Sequence, residues 1–130
     1  MVDKTVRDTA TADKILVQLN QNYQLFYDKI NADYPNKSLK THIAISDVFG
    51  KRKFSTVIDV LIETKDKRCI IIKNTSEYHN NSQKDKQTAA KYATELYLAA
   101  SLISKEKGYA MQKIITLVHF TIGGALVELR

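Results

Sequence analysis

The sequence has 130 residues, of which 44% are hydrophobic and 26% are charged, an ordinary composition for one soluble domain with its own core. Lysine and arginine number 20 against 14 acidic residues, a formal charge of +6 that either keeps the surface soluble or attracts phosphate backbones. The chain lacks a signal peptide's apolar core, an apolar run long enough to cross a bilayer and a second cysteine for an internal disulfide. We therefore expect a single cytoplasmic domain over residues 1–130 without membrane contact.

The first predicted element is an amphipathic helix that follows a loose leader over residues 1–8. It runs from about Thr11 to Asp33, and Pro35 lies just beyond its end. Apolar side chains recur along it at a spacing of three or four residues, which places them on one face. These side chains are Ile15, Leu19, Tyr23, Phe26 and Ile30.

Three strands joined by short turns are predicted next, over Thr41–Val48, Lys53–Thr64 and Arg68–Thr75. Side chains alternate across a strand, so the even positions of the second strand share one face. That face is almost purely apolar and consists of Phe54, Thr56, Ile58, Val60 and Ile62. We expect the whole face to pack on a helix, while the odd face carries Asp59 and Glu63.

The register between the second and third strands follows from these faces. Two residues that pair across neighbouring strands have their side chains on the same face of the sheet. The even positions of both strands therefore share a face only if even-numbered residues pair with even and odd with odd, so that the two numbers have an even sum, as when Asp59 stands opposite Lys73. That register leaves residues 65–67 as a three-residue loop, an accepted length for a hairpin. The sequence therefore predicts that Asp59 and Lys73 are close neighbours on one face.

A second long helix is predicted from Ser82 to about Lys107, with Gly108 as its stop. Two further strands follow, over Gln112–Thr121 and Ala125–Leu129. The second helix is long enough to cross over to a parallel strand. The element order αβββαββ therefore predicts an α/β fold, a three-layer sandwich with a mixed central sheet and helices on both faces.

Two groups of basic and polar residues are candidates for contact with nucleic acid. Cations at the start of a helix oppose its dipole, and an anionic partner would relieve that cost. The candidates are Lys51, Arg52 and Lys53 beside the first turn, and Lys84, Lys86, Gln87 and Lys91 on the second helix. A solvated surface is the alternative for both groups.

The central hairpin resembles the PD-(D/E)xK nuclease superfamily, whose fold is called restriction-endonuclease-like. Residues 58–64 (IDVLIET) and 70–73 (IIIK) are similar to the pattern IDxVIET…(I/F)ExK of bacterial members. The next helix carries Gln87 and Tyr92, similar to the Gln…Tyr helix of many members. The resemblance covers about residues 41–120 and implies association with nucleic acid, with Mg²⁺ or Mn²⁺ as cofactor if the domain is active.

The resemblance also assigns roles to single residues. Asp59 matches the acid that binds the metal, and Lys73 matches the lysine that positions or polarises the attacking water in metal-dependent phosphodiester hydrolysis. The acid expected two positions before the lysine is replaced by Ile71. Glu63 is the candidate replacement, both as a catalytic residue and as a second metal ligand beside Asp59.

Several alternatives stay open. Glu77 and Glu95 are further acids that could replace the missing one, and residues 63–65 form an intact ExK for which Asp47 would be the first acid. The pair of Asp59 and Lys73 can also be a purely structural ion pair. The oligomeric state is open, a homodimer included.

Three functions follow from these alternatives. The first is a nuclease-like domain with an incomplete metal site, associated with nucleic acid and with weak or no cleavage. The second is an active nuclease that depends on a divalent metal and uses a displaced carboxylate. The third is a non-enzymatic protein-interaction module. The replacement at Ile71 favours the first over the second.

Overall fold

The computed structural model describes residues 2–34, 37–79 and 81–129, and in the first helix it describes side chains only at residue 14 and from residue 17 onward. Three α-helices, one short 3₁₀ helix and five strands occur in these ranges. In chain order they are α1 (Val2–Asp33), β1 (Lys37–Phe49), β2 (Arg52–Thr64), β3 (Cys69–Thr75), α2 (Ser82–Lys91), α3 (Ala93–Lys107), η1 (Met111–Lys113), β4 (Ile114–Phe120) and β5 (Leu126–Leu129). Among the helices described, none is both long and apolar enough to span a membrane.

The strands form one five-stranded sheet in the order β1-β2-β3-β4-β5. β3 and β4 are parallel, and the other neighbouring pairs are antiparallel. The parallel pair requires a crossover, which α2 and α3 provide between the two strands. The predicted α/β fold with a mixed sheet is therefore confirmed.

Two apolar clusters lie on opposite faces of the sheet, because alternate residues of β3 belong to different clusters. Ile70 and Ile72 pack with Phe26 and Ile30 of α1. Cys69 and Ile71 pack in the other cluster, whose helix residues are Ala89, Leu96, Ala99, Ala100, Leu102 and Ile103 of α2 and α3. Helices thus cover both faces, an arrangement consistent with a three-layer sandwich.

The predicted register of the β2–β3 hairpin agrees with the structure. Val60 pairs with Ile72 and Leu61 with Ile71, so each pair has the even sum that the apolar faces require. The loop contains residues 65–67, and Lys67 adopts a left-handed φ of 62° where the chain enters β3. Asp59 and Lys73 follow in the same register, beyond the last paired residues.

The even face of β2 is split between the two clusters, so the prediction of one continuous apolar face is wrong. Val60 and Ile62 pack towards α1, whereas Ile58 packs in the cluster that contains α3. The change occurs at Asp59, where the β1–β2 pairing is interrupted between Thr41–Val60 and Ile43–Ile58. His42 lies at the same interruption in β1 and has a left-handed φ of 53°. A left-handed residue in a strand alters the local twist, and here it reorients the side chains beyond it.

The outer half of the β1–β2 hairpin therefore curls over α3. Phe54 packs against the α3 cluster, and Lys105 near the end of α3 donates to Asp47 Oδ1 at 3.2 Å. The same ammonium lies 4.8 Å from the centroid of the Phe49 ring. As a result α3 is enclosed between the sheet and this hairpin arm.

The helices depart from the prediction in two places. α1 begins at Val2, so residues 2–8, expected as a loose leader, are helical; the expected stripe residue Ile15 is outside the described side chains. The second helix is interrupted at Tyr92, whose φ of −91° and ψ of 0° separate α2 from α3. Apolar periodicity continues through this break, so periodicity alone predicts one helix.

Candidate functional site

The site lies where β2 and β3 separate, and Lys73 is at its centre. The Nζ of Lys73 is 3.1 Å from Oε1 of Glu95 and 3.8 Å from Oδ2 of Asp59. It also lies 5.7 Å from the centroid of the Tyr92 ring. Strand alternation brings Asp59 and Lys73 to one face, and the first turn of α3 brings Glu95 to the same ammonium group.

The position of Asp59 follows from the end of the strand ladder. The β2–β3 pairing stops at Val60 and Ile72, so the next backbone donors of β3 have no partner on β2. Oδ2 of Asp59 accepts a hydrogen bond from the backbone N–H of Asn74 at 2.9 Å. The carboxylate thus replaces a ladder bond and is held in place by the backbone.

A small cavity of about 10 Å³ lies beside these groups, lined in part by Asp59, Ile71, Lys73 and Glu95. This volume corresponds to about one water molecule. Ile71 is only 1% exposed and belongs to the α3 core cluster. The position where the resemblance expects a second acid is therefore a core position in this chain.

Lys73 is stabilised in its charged form by the two carboxylates. Partial burial acts to lower its pKa, but the hydrogen bond to Glu95 and the charge of Asp59 outweigh burial and raise the pKa above its ordinary value. Lys73 is therefore a protonated cation at neutral pH. It neutralises the acids beside it and, being protonated, cannot accept a proton.

In this structure the carboxylates of the site are paired with Lys73 and do not converge as ligands of a magnesium or manganese ion. Mg²⁺ requires oxygen ligands in octahedral geometry, and a typical protein site supplies one or two carboxylates. Here the nearest oxygens of Asp59 and Glu95 are both engaged by the ammonium of Lys73. Over the described ranges, no group of three or more histidine, cysteine, aspartate or glutamate side chains is arranged to hold a metal.

Glu63, the expected second ligand, lies at the other end of β2. It lies four positions after Asp59, about 13 Å along a strand. Its carboxylate accepts from Lys107 Nζ at 2.8 Å and from the Tyr109 hydroxyl at 2.7 Å. Partial burial acts to raise the pKa of Glu63, and these two hydrogen bonds outweigh burial and lower it. The structure thus places Glu63 in a separate cluster and does not bring it to Asp59.

The other candidate acids lie in different parts of the structure. Asp47 accepts from Lys105 and from the backbone N–H of Val48 at 2.7 Å, in the hairpin arm that covers α3. Glu77 is nearer the site, because the hydroxyl of Tyr92 donates to its Oε2 at 3.3 Å. Among the candidate replacements, Glu95 is the one that contacts Lys73 directly.

Both groups of candidate nucleic-acid contacts lie on the surface. All seven residues are exposed or half-buried, as contact with phosphate groups requires: Lys51, Arg52, Lys53, Lys84, Lys86, Gln87 and Lys91. The first three surround the tight β1–β2 turn, and the others project from α2. Exposed lysines reach phosphate groups without desolvation of a buried charge, but they also suit a solvated surface.

Sequence reasoning missed a polar layer behind the site. His119 in β4 is 1% exposed, and its ring stacks on Phe26 with centroids 4.5 Å apart. Its Nδ1 is 3.3 Å from Oδ1 of Asn74, the residue whose backbone N–H binds Asp59. Burial lowers the pKa of His119 to about 4, so the ring is neutral at pH 7. Alternation in β4 could have revealed it, since His119 shares a face with Leu117, which packs against the α1 cluster.

No protein-family model matches the chain, and no match to a curated protein is found.

Proposed function

We propose that this chain is a nuclease-like domain of the PD-(D/E)xK type that binds nucleic acid and has lost metal-dependent cleavage. One observation carries the proposal: the ammonium of Lys73 lies between Asp59 and Glu95, at 3.8 and 3.1 Å. A cation supplied by the protein then occupies the place between acids where a nuclease would bind its metal ion. The replacement of the second acid by the buried Ile71 supports the same conclusion.

The replacement of the acid by Ile71 and the ion pairing of Lys73 are connected. A carboxylate at position 71 would stand in the α3 core cluster, where an ionised acid is costly unless it is paired or bound to metal. Isoleucine removes that cost and closes the site against α3. Lys73 then forms its ion pairs with Asp59 and Glu95, and these pairs join the end of β3 to the start of α3.

The surface charge supports the binding part of the proposal. The chain carries a formal charge of +6, and the exposed cations at the β1–β2 turn and on α2 are available to phosphate groups. Such contacts are independent of base sequence and weaken as salt is added. We therefore expect binding to single- or double-stranded nucleic acid without strong sequence preference.

Fluorescence anisotropy with labelled DNA and RNA, over a series of salt concentrations, tests this binding. The variant Lys51→Gln/Lys53→Gln should bind more weakly, and the slope of log K against log salt should fall by about one for each phosphate group that the variant no longer binds. A matched control is Lys14→Gln/Lys29→Gln, which removes exposed cations from α1. Equal affinities and equal salt slopes for both variants would show that the turn does not bind nucleic acid.

A second candidate function is an active nuclease in which Glu95 replaces the missing acid. It is favoured by one observation, that Glu95 and Asp59 contact the same Lys73 and so lie on the same side of the sheet. The two candidate functions differ in one expected outcome. Only the second predicts cleavage that depends on added divalent metal and on Asp59.

A further inference from the structure

A basic cavity of about 300 Å³ lies at the opposite end of α3 from Lys73. Three lysines from three different segments line it: Lys67 from the β2–β3 loop, Lys107 from the last turn of α3 and Lys113 from η1. Tyr109 forms another part of its wall. Glu95 and Lys107 are twelve residues apart in one helix, about 18 Å, so this cavity is distinct from the Asp59 site.

The charges around the cavity are not balanced. Among the described residues one carboxylate, that of Glu63, contacts the lining, and it binds Lys107 at 2.8 Å and the Tyr109 hydroxyl at 2.7 Å. Lys67 and Lys113 make no ion pair with any carboxylate in those ranges. Three lysines therefore line one cavity beside one carboxylate, so the lining carries an excess of positive charge that an anion or solvent can compensate.

Local secondary structure fixes the main chain at each of the three lysines. In the β2–β3 loop, the backbone N–H of Lys67 donates a hydrogen bond to the carbonyl of Thr64 at 3.2 Å. In η1, the backbone N–H of Lys113 donates a hydrogen bond to the carbonyl of Ala110 at 2.9 Å. Lys107 is the last residue of α3, where Gly108 terminates the helix with a φ of 76°. Because the backbone is set in advance, an anion that binds here orders side chains only.

We propose that this cavity binds a phosphate monoester, with Lys67, Lys107 and Lys113 around the phosphate and Tyr109 against the organic group. Lysine binds phosphate as a compact point charge with three donors. The volume is at the lower end of the range for small-molecule sites, larger than a bare phosphate needs. The inference goes beyond the nuclease-like function and does not depend on it, because none of these residues belongs to the Asp59 site.

Titration of the ¹⁵N-labelled protein with inorganic phosphate, adenosine monophosphate and adenosine, followed by NMR, tests the proposal. The two phosphate compounds should shift the amide signals of Lys67, Gly108 and Lys113 saturably, and adenosine should not. A 5′-phosphorylated oligonucleotide compared with its unphosphorylated form distinguishes a nucleic-acid end from a free mononucleotide as the source of the phosphate. The absence of a saturable shift at these amides with both phosphate compounds would overturn the proposal.

Three variants, one of them a control, make the test specific. Lys67→Gln/Lys113→Gln should weaken phosphate binding about tenfold or more, the loss of charge-assisted hydrogen bonds, with the thermal midpoint unchanged because both side chains are exposed. Lys14→Gln/Lys29→Gln is the control with the same loss of charge on α1, and it should keep the original affinity. Glu63→Gln should strengthen binding, because it removes the negative charge beside Lys107. Equal affinity in the first variant and the control, or weaker binding in Glu63→Gln, would contradict the proposed site.

Discussion

Lys73 at the end of β3 and Glu95 in the first turn of α3 form an ion pair with an Nζ to Oε1 distance of 3.1 Å. The pair joins β3 to the helix that packs over it. Asp59 lies 3.8 Å from the same ammonium. One ammonium group therefore neutralises two acids that come from different elements of the fold.

The two acids should contribute unequally to stability. Asp59→Ala should lower the free energy of unfolding by about 1–3 kcal/mol, because it leaves the backbone N–H of Asn74 without its acceptor. Glu95→Gln should cost about 1 kcal/mol or less, because Glu95 is the more exposed partner of Lys73. Urea denaturation measures both values. Glu106→Gln on the exposed side of α3 is the control, expected to be nearly neutral. A larger loss in Glu95→Gln than in Asp59→Ala would contradict the assigned roles.

Restoring the missing acid should destabilise the domain. Ile71→Glu places a carboxylate in the α3 core cluster and should cost about 4 kcal/mol or prevent folding. Ile71→Val, which keeps the position apolar and removes one methylene, should cost about 1 kcal/mol. Thermal denaturation followed by circular dichroism distinguishes the two. A stable Ile71→Glu variant would show that the site still accommodates an acid from β3.

His119 should make stability fall in mild acid. Its pKa is lowered from 6.5 to about 4 in the folded protein, so the unfolded chain takes up the proton first. The resulting stabilisation, about 3 kcal/mol at most, is complete above pH 6.5 and is lost as the pH falls towards 4. Urea denaturation between pH 7 and 4 should show a shallower loss for His119→Phe than for the original chain. His42→Gln, at an exposed histidine, is the control and should keep the full slope.

The approach of Asp59 to Lys73 was predictable because it follows the register of the paired residues 60–63 and 69–72. The parity of apolar positions in β2 and β3 is sufficient to place Asp59 and Lys73 on one face and to leave a three-residue loop. The order of helices and strands followed from periodicity, and the helix ends at Asp33 and Lys107 followed from Pro35 and Gly108.

The remaining features depend on tertiary contacts that no local pattern contains. The left-handed φ of His42 splits the apolar face of β2, and the sequence around His42 does not indicate it. The choice of Glu95 over Glu63 as the second acid beside Lys73 depends on how α3 packs on the sheet. The polar N-terminal part of β1, residues 37–40, was missed because an edge strand needs little apolar character.

The most direct test of the proposed function is a cleavage assay on the purified chain, with single- and double-stranded DNA and RNA in Mg²⁺ or Mn²⁺. Binding is measured on the same samples by fluorescence anisotropy. We expect binding that depends on salt and no cleavage above that of the Asp59→Ala and Lys73→Ala variants. Cleavage that requires the added metal and is abolished in both variants would contradict the proposed function and would establish an active nuclease.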